Sequence, residues 1–237
     1  MNDTLVGSKP RTRSRCAIPG LYCAMALFGA LHASTAIALS FRVPIGEQSI
    51  TVAVPVGFAN AADLDPALLS YVQALVGGSG HILGLLLTPA DIEDIRSGRK
   101  PTLSEFLSVT TDPEWSSRVM TQAQFTTELM NLAAQLGRNS GSDPTGSHVL
   151  DRTLIERFSI RPNCEGFLMT YGPVSVGSAL PGSAIQGIAI MHVRGKLLFL
   201  QITRLQDSRT ATGLTKQQLI SWALDMASLN AGERSSP

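Results

Sequence analysis

Apolar positions follow two regimes along this chain. From about Ala17 to Leu31 they run nearly unbroken, and from Ser49 onward they alternate or recur at helical spacing. Ser49 to Val54 (SITVAV) is β-branched and alternating, which predicts a strand that Pro55 ends before Gly57 and Phe58. Asp65 is an N-cap with Pro66 at the first helical position, and Leu68, Val72 and Leu75 share a face until Gly77 and Gly78 stop the helix. Ile82 to Leu87 is apolar apart from Gly84 and predicts a central strand buried on both faces. Thr88 and Pro89 start another helix. Asp91, Glu93 and Asp94 lie near its positive end, and the basic Arg96, Arg99 and Lys100 lie towards and past the other.

Leu103 to Thr111 reads as a strand, after which Asp112 and Pro113 make a break that places Trp115 in a loop or at a strand start. Thr121 with Gln124 is a capping box, and Phe125, Leu129, Leu132 and Leu136 mark the apolar face of a helix ending at Gly137. Asn139 to Ser147 (NSGSDPTGS) is an exposed polar loop. Val149 to Phe158 is assigned to a helix because Leu150, Leu154 and Phe158 fall four apart. Phe167 to Val176, Ala184 to Val193 and Lys196 to Gln201 are strands with short connections, Arg194 and Gly195 forming a hairpin turn. Thr215 with Gln218 opens a last helix carrying Leu219, Trp222, Ala223 and Met226 on one face, with Gly232 as its cap. Hairpins force antiparallel pairing, so the expected class is α+β: one largely antiparallel sheet covered by helices, an α/β/α sandwich.

The first regime has a basic segment before it and a small-residue segment after it. Lys9, Arg11, Arg13 and Arg15 precede it, and Ala33 to Ala38 (ASTAIA) follows it. Basic head, apolar middle and A-x-A end are the pattern of a secretory signal peptide, with Ala36 and Ala38 placed for cleavage before Leu39. The expected organisation is therefore a leader over 1–38, a single domain over 39–232 and a disordered tail over 233–237, exported to the periplasm or secreted. An uncleaved leader is the alternative, giving a domain tethered in the inner membrane. Ala17 to Ala38 only just reaches the roughly 20 residues a span needs and contains Pro19, Gly20 and His32. Tyr22 before Cys23 does not suit lipid attachment, and the spaced arginines do not suit twin-arginine export.

Removing the leader changes the bulk picture. The chain carries 19 lysines and arginines against 18 acids, and the leader takes four of the basic residues but one acid, Asp3. A slightly acidic domain of roughly 200 residues remains, enough for one core. It has no electrostatic footprint for nucleic acid and no polybasic arm for anionic lipid. Cys16 and Cys23 leave with the leader, so Cys164 stands alone and no disulfide framework is possible. Its surroundings lack a helix start, with Arg161 the nearest cation, and a buried inert thiol is expected.

No motif fixes a reaction. There is no G-x-S-x-G elbow, no S-x-x-K set, no H-E-x-x-H, no Walker loop and no G-x-G-x-x-G between strand and helix. Gly77 to Gly80 (GGSG) follows a helix and precedes a strand, the reverse of a phosphate cradle, and reads as a turn. His81, His148 and His192 have no partner at metal-ligand spacing. His81 is expected at the start of a buried strand, His148 in the solvated loop, and His192 facing a helix layer or solvent. The Asp91, Glu93 and Asp94 cluster lacks the alternate-position ligands of a calcium loop and reads as a solvated helix face. Trp115 lies outside any apolar stripe and is a candidate for lining a pocket. No catalytic, cofactor or metal residue is assigned.

The exported leader, the early strand running into Val56-Gly57-Phe58, the mid-chain helix, the meander through Gly195-Lys196-Leu197-Leu198-Phe199 and the last helix around Trp222 together resemble the PsbP-like α/β/α sandwich domains. The resemblance implies a small binding or assembly factor without chemistry of its own. The expected function is a non-enzymatic exported domain that binds a protein or small ligand; the absence of an N-x-S/T acceptor after the leader favours a bacterial periplasm. The alternative is a small hydrolase-like enzyme. It would need one of the three histidines within reach of a serine, Cys164 or a carboxylate in a concave pocket.

Overall fold

The first described element is a strand that was not among the expected ones, which began at Ser49. Leu39–Ile45 (β1) pairs antiparallel with Gln48–Val54 (β2) through a turn at Gly46, whose φ of 60° suits glycine. Phe41, Val43 and Ile45 alternate with the exposed Ser40, Arg42 and Pro44, the period of a strand with one face buried. The computed structural model describes residues 39–61, 80–138, 152–174, 182–205 and 209–231. The leader with Ala36 and Ala38, the helix from Asp65, the glycines 77 and 78, the polar loop with His148, and Gly232 with the tail lie outside the described residues.

Seven further strands form one sheet: Ala59–Asn60 (β3), His81–Leu87 (β4), Glu105–Thr111 (β5), Arg152–Arg161 (β6), Cys164–Val174 (β7), Gly182–Val193 (β8) and Lys196–Arg204 (β9). Their order is β3-β4-β5-β9-β8-β7-β6, and every adjacent pair is antiparallel. The helices are Pro89–Arg96 (α1), Pro113–Ser116 (α2), Gln122–Arg138 (α3) and Arg209–Ala231 (α4). The class is α+β with a large antiparallel sheet, as the sequence pattern predicts.

Two layers of apolar side chains cover the sheet. On one face Leu86, Leu107, Val109, Ala189, Met191 and Leu200 pack beneath the β1–β2 hairpin and the Trp222 face of α4. On the other, Leu85, Leu87 and Phe106 pack with Ile92 of α1, and Phe167, Ile190 and Leu197 pack with Phe125 and Leu129 of α3. Alternation along β8 and β9 is what sends successive residues to opposite layers.

The hairpin is tied to α4 by an arrangement that replaces a missing strand neighbour. The Asn230 side chain accepts from Thr51 N at 2.9 Å and donates to Thr51 O at 2.8 Å. One and two helical turns earlier, Met226 Sδ accepts from Ala53 N at 3.2 Å and Trp222 Nε1 donates to Ala53 O at 2.8 Å. Residues four apart on one helix face thus satisfy residues two apart on a strand, and the backbone groups of that edge are not left bare.

Local signals hold where the chemistry is reciprocal. In the Thr121 capping box, Thr121 N donates to Gln124 Oε1 at 2.8 Å and Gln124 N to Thr121 Oγ1 at 3.3 Å. Arg194 and Gly195 turn with φ of 50° and 73°, the two left-handed positions of a type I′ hairpin. Three expectations are corrected. Residues 152–158 are strand: register shifts at Leu154/Glu156 and Ser159/Arg161 break the alternation, so Leu154 and Phe158 serve opposite layers despite their helical spacing. Thr215 does not open the last helix, which begins at Arg209; its hydroxyl donates to Ala211 O at 2.8 Å in mid-helix, and Gln218 accepts from Arg204. Trp115 sits in the helical turn α2, N-capped by Asp112, and packs half-buried against the Phe125 cluster instead of lining an open pocket.

Candidate functional site

Two hairpin turns and the end of α4 come together at one end of the sheet. The first turn, Pro162-Asn163, joins β6 to β7; Asn163 has φ of 69°, the left-handed second position that a proline followed by asparagine suits. The second is the Arg194-Gly195 turn. Between them and Ala227, Asn230 and Ala231 lies an open depression of about 150 Å³. Its floor is apolar, with Cys164, Met191 and Val193, and its rim carries Arg161, Asn163 and Arg194.

Cys164 and His192 both border this depression, but they are not a pair. Cys164 is directly opposite Met191 in the β7–β8 register, so their side chains share one face and His192 points to the other. There the imidazole stacks on Phe125, with ring centres 5.3 Å apart. Its Nδ1 lies 3.2 Å from Gln122 Oε1 and its Nε2 2.9 Å from Met120 O. Gln122 in turn donates to Asn163 Oδ1, which anchors the first turn to α3. Burial pushes the Cys164 thiol up to about 12, against the opposing pull of Arg161, while Glu165 adds to the rise. A thiol so placed stays protonated at neutral pH and is a poor nucleophile.

The rim charges have unequal duties. Arg194 Nη1 donates to Ser49 O at 2.8 Å and its Nε to Asn230 O at 3.5 Å, which places a cation at the negative end of α4. Arg161 is exposed and makes no ion pair among the described residues. The neighbouring acid, Glu165, is bonded to Arg157 at 2.5 Å. Among the described residues no carboxylate lines the depression.

The other sequence candidates resolve into structural roles. Asp91 is buried, not solvated: it accepts from the Thr88 hydroxyl at 2.7 Å and from Leu103 N at 3.0 Å, holding Leu103 at φ of 50°. Asp94 pairs with Arg99 at 2.8 Å and Glu93 accepts from Ser97. His81 is exposed at the start of β4, although that strand goes on to be buried. Among the described residues no group of three or more His, Cys, Asp or Glu is placed to hold a metal ion.

A buried polar row crosses four neighbouring strands on the α3 side. Tyr171 donates to Gln186, Gln186 to Gln201 at 3.1 Å and Gln201 to Thr110 at 3.4 Å. Ser108, opposite Gln201, has a buried hydroxyl with no partner. Every member is neutral, and the row fixes register between two apolar clusters.

Fold and site together define an antiparallel α+β domain with a small, basic-rimmed concavity and no assembled nucleophile and base among the described residues. No family model matches the chain, and no curated protein matches its sequence. Two solved structures are similar to it: the Saccharomyces cerevisiae Ran-binding protein Mog1p, and a mutant of protein Mog1. Each is 13% identical with a TM-score of 0.37; the first alignment covers 82% of this chain and 93% of that one, the second 81% and 93%. A likeness of that degree carries no functional argument.

Proposed function

We propose that this protein is an exported, non-catalytic binding domain that meets its partner at the sheet end bearing Arg161, Pro162 and Asn163. The observation carrying this reading is the register that puts Cys164 and His192 on opposite faces of β7 and β8, so that the concavity has the form of a receptor and lacks a catalytic couple. The leader pattern supports export, with Ala36 and Ala38 before the cut at Leu39. Among the described residues no helix is long and apolar enough to cross a membrane, and the tethered alternative rests on the leader itself. The architectural resemblance to PsbP-like domains belongs to the same proposal.

The test is site-specific photo-crosslinking in the exporting cell. A photoreactive residue replaces Pro162 in the full chain, and a second chain carries it at Glu93, exposed on α1. A discrete adduct from position 162 and none from position 93 is the expected result. No adduct at 162, or the same adducts from both, overturns the docking site. The mass of the recovered protein tests export in the same sample: a chain beginning at Leu39 agrees, and a full-length cytoplasmic chain does not.

A further inference from the structure

We infer that His192, Gln122 and Asn163 form a proton-operated relay that decides whether Asn163 presents a donor or an acceptor at the rim of the depression. Both imidazole nitrogens face carbonyl oxygens: Nε2 lies 2.9 Å from Met120 O and Nδ1 3.2 Å from Gln122 Oε1. A carbonyl oxygen only accepts and a neutral imidazole has one N–H, so this arrangement satisfies both nitrogens only in the imidazolium. The Met120 carbonyl is fixed, because the peptide it belongs to is held by Thr121 N donating to Gln124 Oε1 at 2.8 Å and Met120 N donates to Gly195 O at 2.7 Å. Nε2 therefore keeps its proton in both charge states, and the change falls on Nδ1. Gln122 and Asn163 can answer it, since half a turn of a primary amide exchanges its oxygen for its NH2. With Nδ1 protonated, Gln122 Oε1 accepts from it and Gln122 Nε2 donates to Asn163 Oδ1, as in the structure. When Nδ1 gives its proton to solvent, its lone pair takes a hydrogen bond from Gln122 Nε2, and Gln122 Oε1 takes one from Asn163 Nδ2. Only the N–H bond is broken, and the hydrogen-bond chain reverses direction. The backbone of Asn163 stays in place, because its carbonyl accepts from His192 N at 3.0 Å. The Asn163 atom left for the rim is thus Nδ2 when the ring is charged and Oδ1 when it is neutral.

The imidazole is half-buried, so solvent supplies and removes the proton. Charged groups surround it on several elements. Arg161 and Arg194 share the depression with it. From β7, Glu165 lies opposite Ile190 on the same face, with its carboxylate on Arg157. α3 offers Phe125, on which the ring stacks, and Glu128 three residues further on; before α3, Arg118 is paired with Glu114. β9 places Leu197 opposite His192 and turns Lys196 to the other face, where the protonated Cys164 also lies. Among the described residues none of these charges bonds a ring nitrogen, so Met120 and Gln122 alone read the state of the ring.

A pH titration of the exported protein followed by side-chain nitrogen NMR tests the relay, with protons as the only ligand added. From about pH 8 to 5, the range in which histidines change charge, His192 Nδ1 should move from the shift of a bare nitrogen to that of a protonated one while Nε2 stays protonated throughout. The side-chain amide resonances of Gln122 and Asn163 should move with the same midpoint. Gln122→Ala cuts the chain: His192 should still titrate, and the Asn163 amide should stop following it. Gln122→Met, which keeps the side-chain length, makes the same cut if the alanine loosens α3, and unchanged backbone amides over the rest of the sheet show that either variant is folded. A His192 ring that does not titrate, an Nε2 that loses its proton before Nδ1, an Asn163 amide that stays still in the wild type, or one that moves equally in the Gln122 variants overturns the inference. The relay stands on the hydrogen bonds and not on the docking reading. A position-162 adduct without coupled titration removes the relay alone, and coupled titration without an adduct removes the docking site alone.

Discussion

Ser108 and Cys164 are both small buried side chains, yet burial acts on them in different ways. Ser108 keeps a hydroxyl with no hydrogen-bond partner at full burial, a loss of about 1–3 kcal/mol relative to solvent. Ser108→Ala removes the orphan without opening a cavity and should raise the unfolding free energy by about 1 kcal/mol in urea titration. A loss of similar size would show that the hydroxyl has a partner after all. At Cys164 burial favours the protonated thiol, and its pKa stands near 12 against 9.0 in the unfolded chain. The unfolded state releases this proton first, so the thiol's contribution to stability is complete below about pH 9 and is lost as pH rises towards 12. The stability gap between wild type and Cys164→Ser should therefore shift against the wild type over that range. In native buffer, iodoacetamide should leave the thiol untouched until the chain unfolds. The inert thiol was legible from sequence, since Cys164 has no cation nearer than Arg161. The basic rim was not, because Arg161 and Arg194 are 33 positions apart and meet only when β6 through β9 form their hairpins.

At the scale of elements, sequence signals succeeded where short-range chemistry dominates. Capping at Thr121 and the turn at Arg194-Gly195 each depend on residues within four positions of one another, and both formed as expected. Periodicity failed where a neighbouring strand intervenes. Leu154 and Phe158 stand four apart as on a helix face, yet they lie in β6, where the register shift between Leu154 and Glu156 sends them to opposite layers. Trp222 was readable as a core residue, but its indole bond to the Ala53 carbonyl was not, since it is set by tertiary packing across 169 positions. Trp222→Phe keeps an aromatic ring in the core and strands that carbonyl. It should cost about 2 kcal/mol in equilibrium denaturation, from the lost hydrogen bond and the unpaired buried oxygen. A loss near zero would mean that the α4 side chains do not complete the edge of β2.

For the whole molecule, the antiparallel α+β class was legible because hairpins with short turns allow no parallel pairing in the last third of the chain. The proposed docking surface was less legible, because it is built from two turns and a helix end and from no contiguous motif. The central claim is that this end of the sheet binds and does not catalyse. The most direct measurement compares photo-crosslink yield from position 162 in the exported protein with and without Cys164→Ser. The account predicts one discrete adduct with the same yield in both, since the thiol is protonated and turned away from His192. Loss of the adduct with Cys164→Ser, or the same adduct formed from position 93, would contradict it.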